Sequence, residues 1–152
     1  MTITDLVAPE AILPALKVNS KKQALQELAA KAASLTGQNE RAVFEVLLQR
    51  EKLGTTAVGY GVAIPHGKLP GLRRVFAAFG RSPAGVDFQS LDGKPTHLFF
   101  LLVAPEESAG AHLKALARIS RLLKDDAFRA RLREAPDAEA LYRTIREEDA
   151  RY

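Results

Sequence analysis

Apolar residues return at Ala24, Leu25, Leu28, Ala29, Ala32 and Leu35. That spacing of three and four predicts an amphipathic helix, with Asn19 or Ser20 as its N-cap and Gly37 as its stop. Asn39 caps a second helix that holds Val43, Phe44, Val46, Leu47 and Leu48 and ends near residues 52–54, so the two form a helical hairpin. Ahead of them, residues 12–18 are apolar but interrupted by Pro14, the mark of an edge strand. The pattern then breaks. Residues 54–71 hold five glycines and two prolines and read as loop, with one short strand at 62–64. Residues 74–81 (RVFAAFGR) read as a buried strand, and 85–93 as a turn-rich connection. Residues 96–103 (THLFFLLV) are apolar on both faces and predict a central strand that ends at Pro105. After 108–110, Leu113, Leu116, Ala117, Ile119 and Leu123 outline another amphipathic helix, followed by shorter helices near 127–134 and 137–149. Helices, then strands, then helices around one apolar sheet predict an α/β layered domain spanning residues 1–152.

Composition narrows the chemistry. The 152 residues are 47% hydrophobic and 26% charged, which suits a folded globular domain and not a disordered chain. With no cysteine there is no disulfide framework, thiolate zinc site or catalytic thiol, as expected of a protein of the reducing cytoplasm. The longest apolar run, 98–104, is too short to span a bilayer, and Asp5 and Glu10 with no basic leader argue against a secretory signal. A cytoplasmic protein without membrane insertion is expected. The net charge is +4, yet residues 52–86 contain five basic residues and no acidic one, so the rest of the chain sums to −1. The basic excess is expected to surround whatever this stretch presents, favouring an anionic ligand over a metal cation. It carries no recognition helix or stacking-aromatic motif, so no nucleic acid is expected as partner.

The common catalytic signatures are missing. Gly61 and Gly67-Lys68 stand one residue too far apart for a P-loop, and Leu69 occupies its hydroxyl position. There is no GxGxxG, GxSxG or HExxH, and His66, His97 and His112 show no pairing at i, i+4. No metal and no cofactor is expected. What stands out is His66 in GVAIPHGK. Pro65 fixes its own backbone and keeps Ile64 extended, and Gly67 leaves room for close approach at a strand end, where α/β sheets place ligands. The alternative is a turn histidine with no task.

Two further groups qualify. His112, Leu116, Ile119 and Leu123 fall at i, i+4, i+7 and i+11, which puts the imidazole on the buried stripe at a helix amino end, either as a hydrogen-bonded core residue or as part of an anion pocket. Arg50 closes the second helix, where it serves the dipole or binds phosphate in bidentate fashion, and Thr55 and Thr56 follow with hydroxyls able to donate to an oxyanion. His97 has only a structural reading.

Together these residues resemble a known family. Residues 50–69 (REKLGTTAVGYGVAIPHGKL) are similar to the active-site segment of enzyme IIA proteins of the phosphoenolpyruvate-dependent phosphotransferase system. Within its fructose/mannitol superfamily the likeness is to the nitrogen-regulatory branch. It extends to SKKQALQELAAK, THLFFLLVAP, HLKALARISRLL and LYRTI. The resemblance implies a mixed sheet of about five strands flanked by helices on both faces. It implies that His66 is phosphorylated on Nε2, that His112 is the second pocket histidine, and that Arg50 supports the loop and the phosphoryl group. Thr55, Thr56 and Gly67 would bind phosphate. Thr55-Thr56 stands where relatives often carry Ser-Thr, and Tyr60 replaces a usually small or polar residue. The implied donor is an HPr-like phosphohistidine protein, and the implied output is regulation of partner proteins in nitrogen or potassium metabolism. A sugar-specific IIA passing phosphate to a IIB domain, and a module that acts by docking alone, are the alternatives.

Overall fold

The computed structural model describes residues 2–151. Two short 3₁₀ turns, Ile3–Asp5 and Pro9–Ala11, lead into β1 (Ile12–Leu13). Then come α1 (Lys21–Thr36), α2 (Glu40–Lys52), β2 (Ala57–Gly59), β3 (Val62–Ala63), β4 (His66–Leu69), β5 (Phe76–Val86) and β6 (Thr96–Pro105). The chain closes with α3 (Ala109–Leu122), α4 (Asp126–Glu134) and α5 (Ala138–Ala150). The local signals act where the sequence puts them. The Ser20 hydroxyl accepts the Gln23 N–H, the Asn39 side chain accepts from Ala42, and Gly37 ends α1 in the left-handed region at φ 76°.

The sheet is mixed, in the order β1-β5-β6-β3-β2, with β4 also paired to β6. β5 and β6 are antiparallel, while β3 and β4 both run parallel to β6. Val62 lies opposite Leu98 and His66 opposite Leu102, an unchanged offset. β3 and β4 are therefore one lane of the sheet, interrupted at Ile64-Pro65. Pro65 has no N–H to donate, but its carbonyl still accepts from Leu102 at 2.9 Å. This corrects the sequence reading, which ended the strand at residue 64 and left His66 in a glycine loop. His66 instead opens a resumed strand.

Other boundaries shift for local reasons. Pro14 cuts the edge strand to two residues. β5 runs on to Val86 because an irregularity between Arg81 and Val86 takes up Pro83 without ending the pairing. Among the described side chains of α3, His112, Ala115, Ile119 and Leu122 are buried, while Leu113, expected on the apolar stripe, is 65% exposed.

Residues 98–104 are buried throughout, so both faces of β6 are covered. Ala32 and Leu35 of α1 lie against Leu101 and Val103, and Gly80 of β5 admits Leu28 of α1. On the other face α3 and α4 pack against β6. Phe79 meets Phe100 edge-on at 5.0 Å, and Phe88 meets Phe99 at 5.3 Å. Asp149 of α5 accepts hydrogen bonds from Thr4 N–H at 3.2 Å and Arg118 Nε at 2.7 Å, tying the amino-terminal turn and α3 to the last helix.

Candidate functional site

β4, α2 and α3 bring His66, Arg50 and His112 together at one cleft of about 560 Å³, lined also by Gly67, Lys68 and Leu53. The backbone decides how His66 presents its ring. Nδ1 lies 2.8 Å from the carbonyl oxygen of Ile64. That oxygen only accepts, so Nδ1 carries the proton. Nε2 is left with the lone pair, and Arg50 Nε donates to it at 3.3 Å. The same guanidinium donates from Nη1 to the Gly54 carbonyl at 2.9 Å, which anchors it across the end of α2.

Burial favours the neutral form of both cleft histidines. Burial pushes the His66 pKa below its usual 6.5, and the Arg50 charge pushes it further the same way, against the Ile64 hydrogen bond and the Glu51 charge. Burial also lowers His112, with the charges of His66 and Lys68 adding to it. The two rings meet edge-on with centroids 5.4 Å apart. His112 Nδ1 is enclosed and has no hydrogen-bond partner among the described residues. An unpaired buried N–H is the costlier orphan, so the proton belongs on Nε2 of His112, the atom able to donate to an oxygen brought onto His66.

Gly67 has a steric role. Alternation along β4 turns it away from the His66 face toward α2, and a Cβ there would collide with Val46. Lys68 returns to the His66 face and is exposed at the cleft. Leu53, 85% exposed, and Leu113 border the opening. Sequence reasoning passed over Lys68 and Leu53 as site residues. The i, i+2 relation to His66 would have flagged Lys68 had residues 66–69 been read as a strand.

Two expectations do not fit this geometry. Thr55 and Thr56 are not brought to the cleft as oxyanion donors. The Thr55 hydroxyl donates to the Phe88 carbonyl at 2.8 Å, and the Thr56 hydroxyl donates to Glu51. The basic excess is not all gathered at His66 either. Arg81 is buried and donates to the carbonyls of Pro14, Leu132 and Ala135, and Arg74 lies over the Phe76 ring. Arg74 lies in the loop before β5, whereas Arg81 is held inside the strand. The cleft's cations are Arg50 and Lys68.

Residues 5–148 match the model of the family described as "Phosphoenolpyruvate-dependent sugar phosphotransferase system, EIIA 2". The chain belongs to this EIIA family. Within it, the chain is 71% identical over 145 residues to a nitrogen regulatory protein of Bradyrhizobium diazoefficiens, covering 95% of each chain. It is 36% identical to the fructose-specific EIIABC component of Bacillus subtilis, covering 98% of this chain and 24% of that one. The crystal structure of nitrogen regulatory protein IIA-Ntr from Neisseria meningitidis superposes with a TM-score of 0.89 at 34% identity, over 94% of this chain and 98% of that chain. Membership of the EIIA family implies phosphoryl transfer, and the mixed sheet with helices on both faces is the fold of IIA-Ntr. No helix among the described residues is long and apolar enough to cross a membrane.

For an EIIA domain with this cleft, His112 is a sharp test. His112→Ala is expected to slow phosphoryl acceptance by roughly 100-fold, the low end of what one donor to a developing oxyanion contributes. Cooperative unfolding should persist, because the side chain lost has an unsatisfied buried nitrogen. Rapid-quench kinetics alongside thermal denaturation measure both.

Proposed function

We propose that this EIIA chain is a phosphocarrier that takes a phosphoryl group onto Nε2 of His66 from an HPr-like phosphohistidine protein. Its phosphorylation state then regulates partner proteins of nitrogen or potassium metabolism. The observation that carries the reading is the locked tautomer: Nδ1–H donates to Ile64, so the lone pair lies on Nε2 and needs no separate base, only release from the Arg50 Nε–H that it accepts. In the transfer, that lone pair forms the new N–P bond as the donor's N–P bond breaks and its electron pair returns to the donor imidazole. The donor ring ends neutral and the His66 ring takes up the positive charge, which the Nδ1–H···O=C bond stabilises. No proton need move. Arg50 and the His112 N–H would meet the phosphoryl oxygens, in keeping with a reaction that relies on alignment and donors more than on covalent help. Lys68 adds a cation at the same opening.

The test is incubation with phosphoenolpyruvate, enzyme I and the HPr-like donor, followed by intact-mass measurement. An acid-labile gain of one phosphoryl group, mapped by fragmentation to His66, is the expected result. A protein that stays unmodified while the donor is fully phosphorylated overturns it.

The acid limb of the reaction tests the electrostatics. Because the folded-state pKa of His66 lies below 6.5, acceptance should hold as pH falls through 6.5 and drop only at lower pH. The stability linkage has the matching sign. An unfolded histidine binds its proton at 6.5 while folded His66 and His112 resist it, so stability is lost as pH falls from 6.5 toward the depressed values. Stopped-time phosphorylation and urea midpoints across this window check both.

A sugar-specific role is the second reading, favoured by the 36% identity to a fructose-specific component, which equals that to the nitrogen regulatory protein of Escherichia coli. The 71% relative supports the regulatory reading over it. Phosphate passing efficiently from the loaded protein to a fructose-type IIB domain would reverse that preference.

A further inference from the structure

Glu51 follows Arg50 in α2 but points the other way. Its side chain is 2% exposed, and it is surrounded by donors. Oε1 accepts from Lys21 Nζ at 2.9 Å and from the Thr56 N–H at 3.1 Å, while Oε2 accepts the Thr56 hydroxyl. A buried carboxylate is stable only when matched in this way, and three donors on two oxygens provide the match.

What the arrangement holds is the Thr55–Ala57 segment. Thr55 Oγ1 donates to Phe88 and accepts from the Ala57 N–H at 3.1 Å, so the segment is fastened on both sides of Thr56. The Thr56 carbonyl then accepts the Ile64 N–H at 3.1 Å. Ile64 lies in the interruption between β3 and β4, where no sheet partner takes that N–H. Its own carbonyl accepts Nδ1–H of His66 at 2.8 Å. Both polar groups of Ile64 are thus assigned, one to the Glu51-held segment and one to the histidine.

We infer that Glu51 is a positioning residue for His66: through Thr56 and Ile64 it sets the orientation of the carbonyl that keeps the proton on Nδ1 and the lone pair on Nε2. Lys21, reaching from the start of α1, is the counter-ion that lets the carboxylate be buried. The role assigned to Nε2 rests on the phosphocarrier reading; the tautomer does not.

That separation shapes the experiment. Glu51→Met keeps the volume but removes both acceptor oxygens, and Lys21 retains Gln89 Oε1 at 3.2 Å and the Phe88 ring at 4.7 Å as neighbours, which favours a folded product. Long-range ¹H–¹⁵N correlation spectra of the histidine rings read the tautomers directly. In the parent protein His66 should appear as the Nδ1–H form. In Glu51→Met it should become a mixture, while His97, whose Nδ1 lies 3.0 Å from the Ser82 carbonyl, keeps its form and reports an intact fold. Phosphoryl acceptance should slow about 10- to 100-fold, as when the outer partners that orient metal-binding histidines are removed. Glu51→Gln, whose Oε1 still accepts from Thr56 N–H, should recover the tautomer and most of the rate.

A pure Nδ1–H form with a rate within twofold of the parent in Glu51→Met overturns the inference. So does a Glu51→Gln protein as impaired as Glu51→Met. If Glu51→Met does not fold, Thr56→Val carries the test, with a smaller tautomer shift expected and an unchanged spectrum overturning the role. Failure of the phosphocarrier reading would look different: no phosphorylation of the parent protein, with the tautomer spectra unaffected.

Discussion

His66→Ala is expected to leave no phosphoprotein at any time of incubation, while the domain should still unfold in one cooperative step. The substitution removes the nitrogen that would form the N–P bond, and neither remaining histidine is placed to replace it. His112 carries its proton on Nε2, its lone-pair nitrogen Nδ1 being enclosed, and His97 is fixed to Ser82 outside the residues that line this cleft. The structural loss is small by comparison. Two hydrogen bonds disappear, the one to Ile64 and the one from Arg50, a net cost of about 2 kcal/mol. For a chain of this size that lowers Tm by about 4–8 °C. Intact mass and calorimetry on the same preparation measure the two effects side by side. A stable phosphoprotein formed by the alanine variant at parental yield would move the nucleophile elsewhere and sink the proposed function.

Gly67→Ala is expected to have the next largest effect, on stability and activity together. The added methyl collides with Val46, and Val46 is β-branched on a helix, where χ1 has one strongly preferred setting. The methyl therefore cannot be accommodated by a simple rotation, and α2 must move off β4. Forcing one extra carbon into such a contact costs about 1–3 kcal/mol. Arg50 is one turn beyond Val46 on α2, so the same movement draws its guanidinium away from His66 Nε2. A displacement near 1 Å is expected to slow transfer by about 100-fold. Val46→Ala in the same chain removes the obstructing carbon and should restore most of both quantities. Urea denaturation and transfer rates of the two single variants and the double variant complete the cycle. A Gly67→Ala protein with parental stability would show that the helix is not held this close.

The regulatory reading depends on similarity more than on the cleft. His66, Arg50 and His112 suit any carrier that receives phosphate from a phosphohistidine. The choice between a regulatory and a sugar-specific partner rests on the 71% relative and falls to the IIB transfer assay.

The sequence by itself determined what neighbours within four residues decide. Ser20, Gly37 and Asn39 act as the caps and stop they were read to be, because a cap bonds to N–H or C=O groups of its own turn. The apolar run at 96–103 fills the sheet's interior, because a strand buried on both faces has no polar side to show. Even the His66 tautomer is partly local, since Ile64 is only two residues away. The tertiary structure decided everything that depends on which distant group arrives first at a polar atom. Thr55 and Thr56 look like oxyanion donors in sequence, but Phe88 and Glu51 take their hydroxyls. Arg81 looks like part of a basic field, but the strand turns it inward to four carbonyls. Arg50 and His112 come to His66 across 16 and 46 residues through the packing of α2 on β4 and of α3 on β6. Periodicity encodes which face is buried; it carries no information about the partner waiting there.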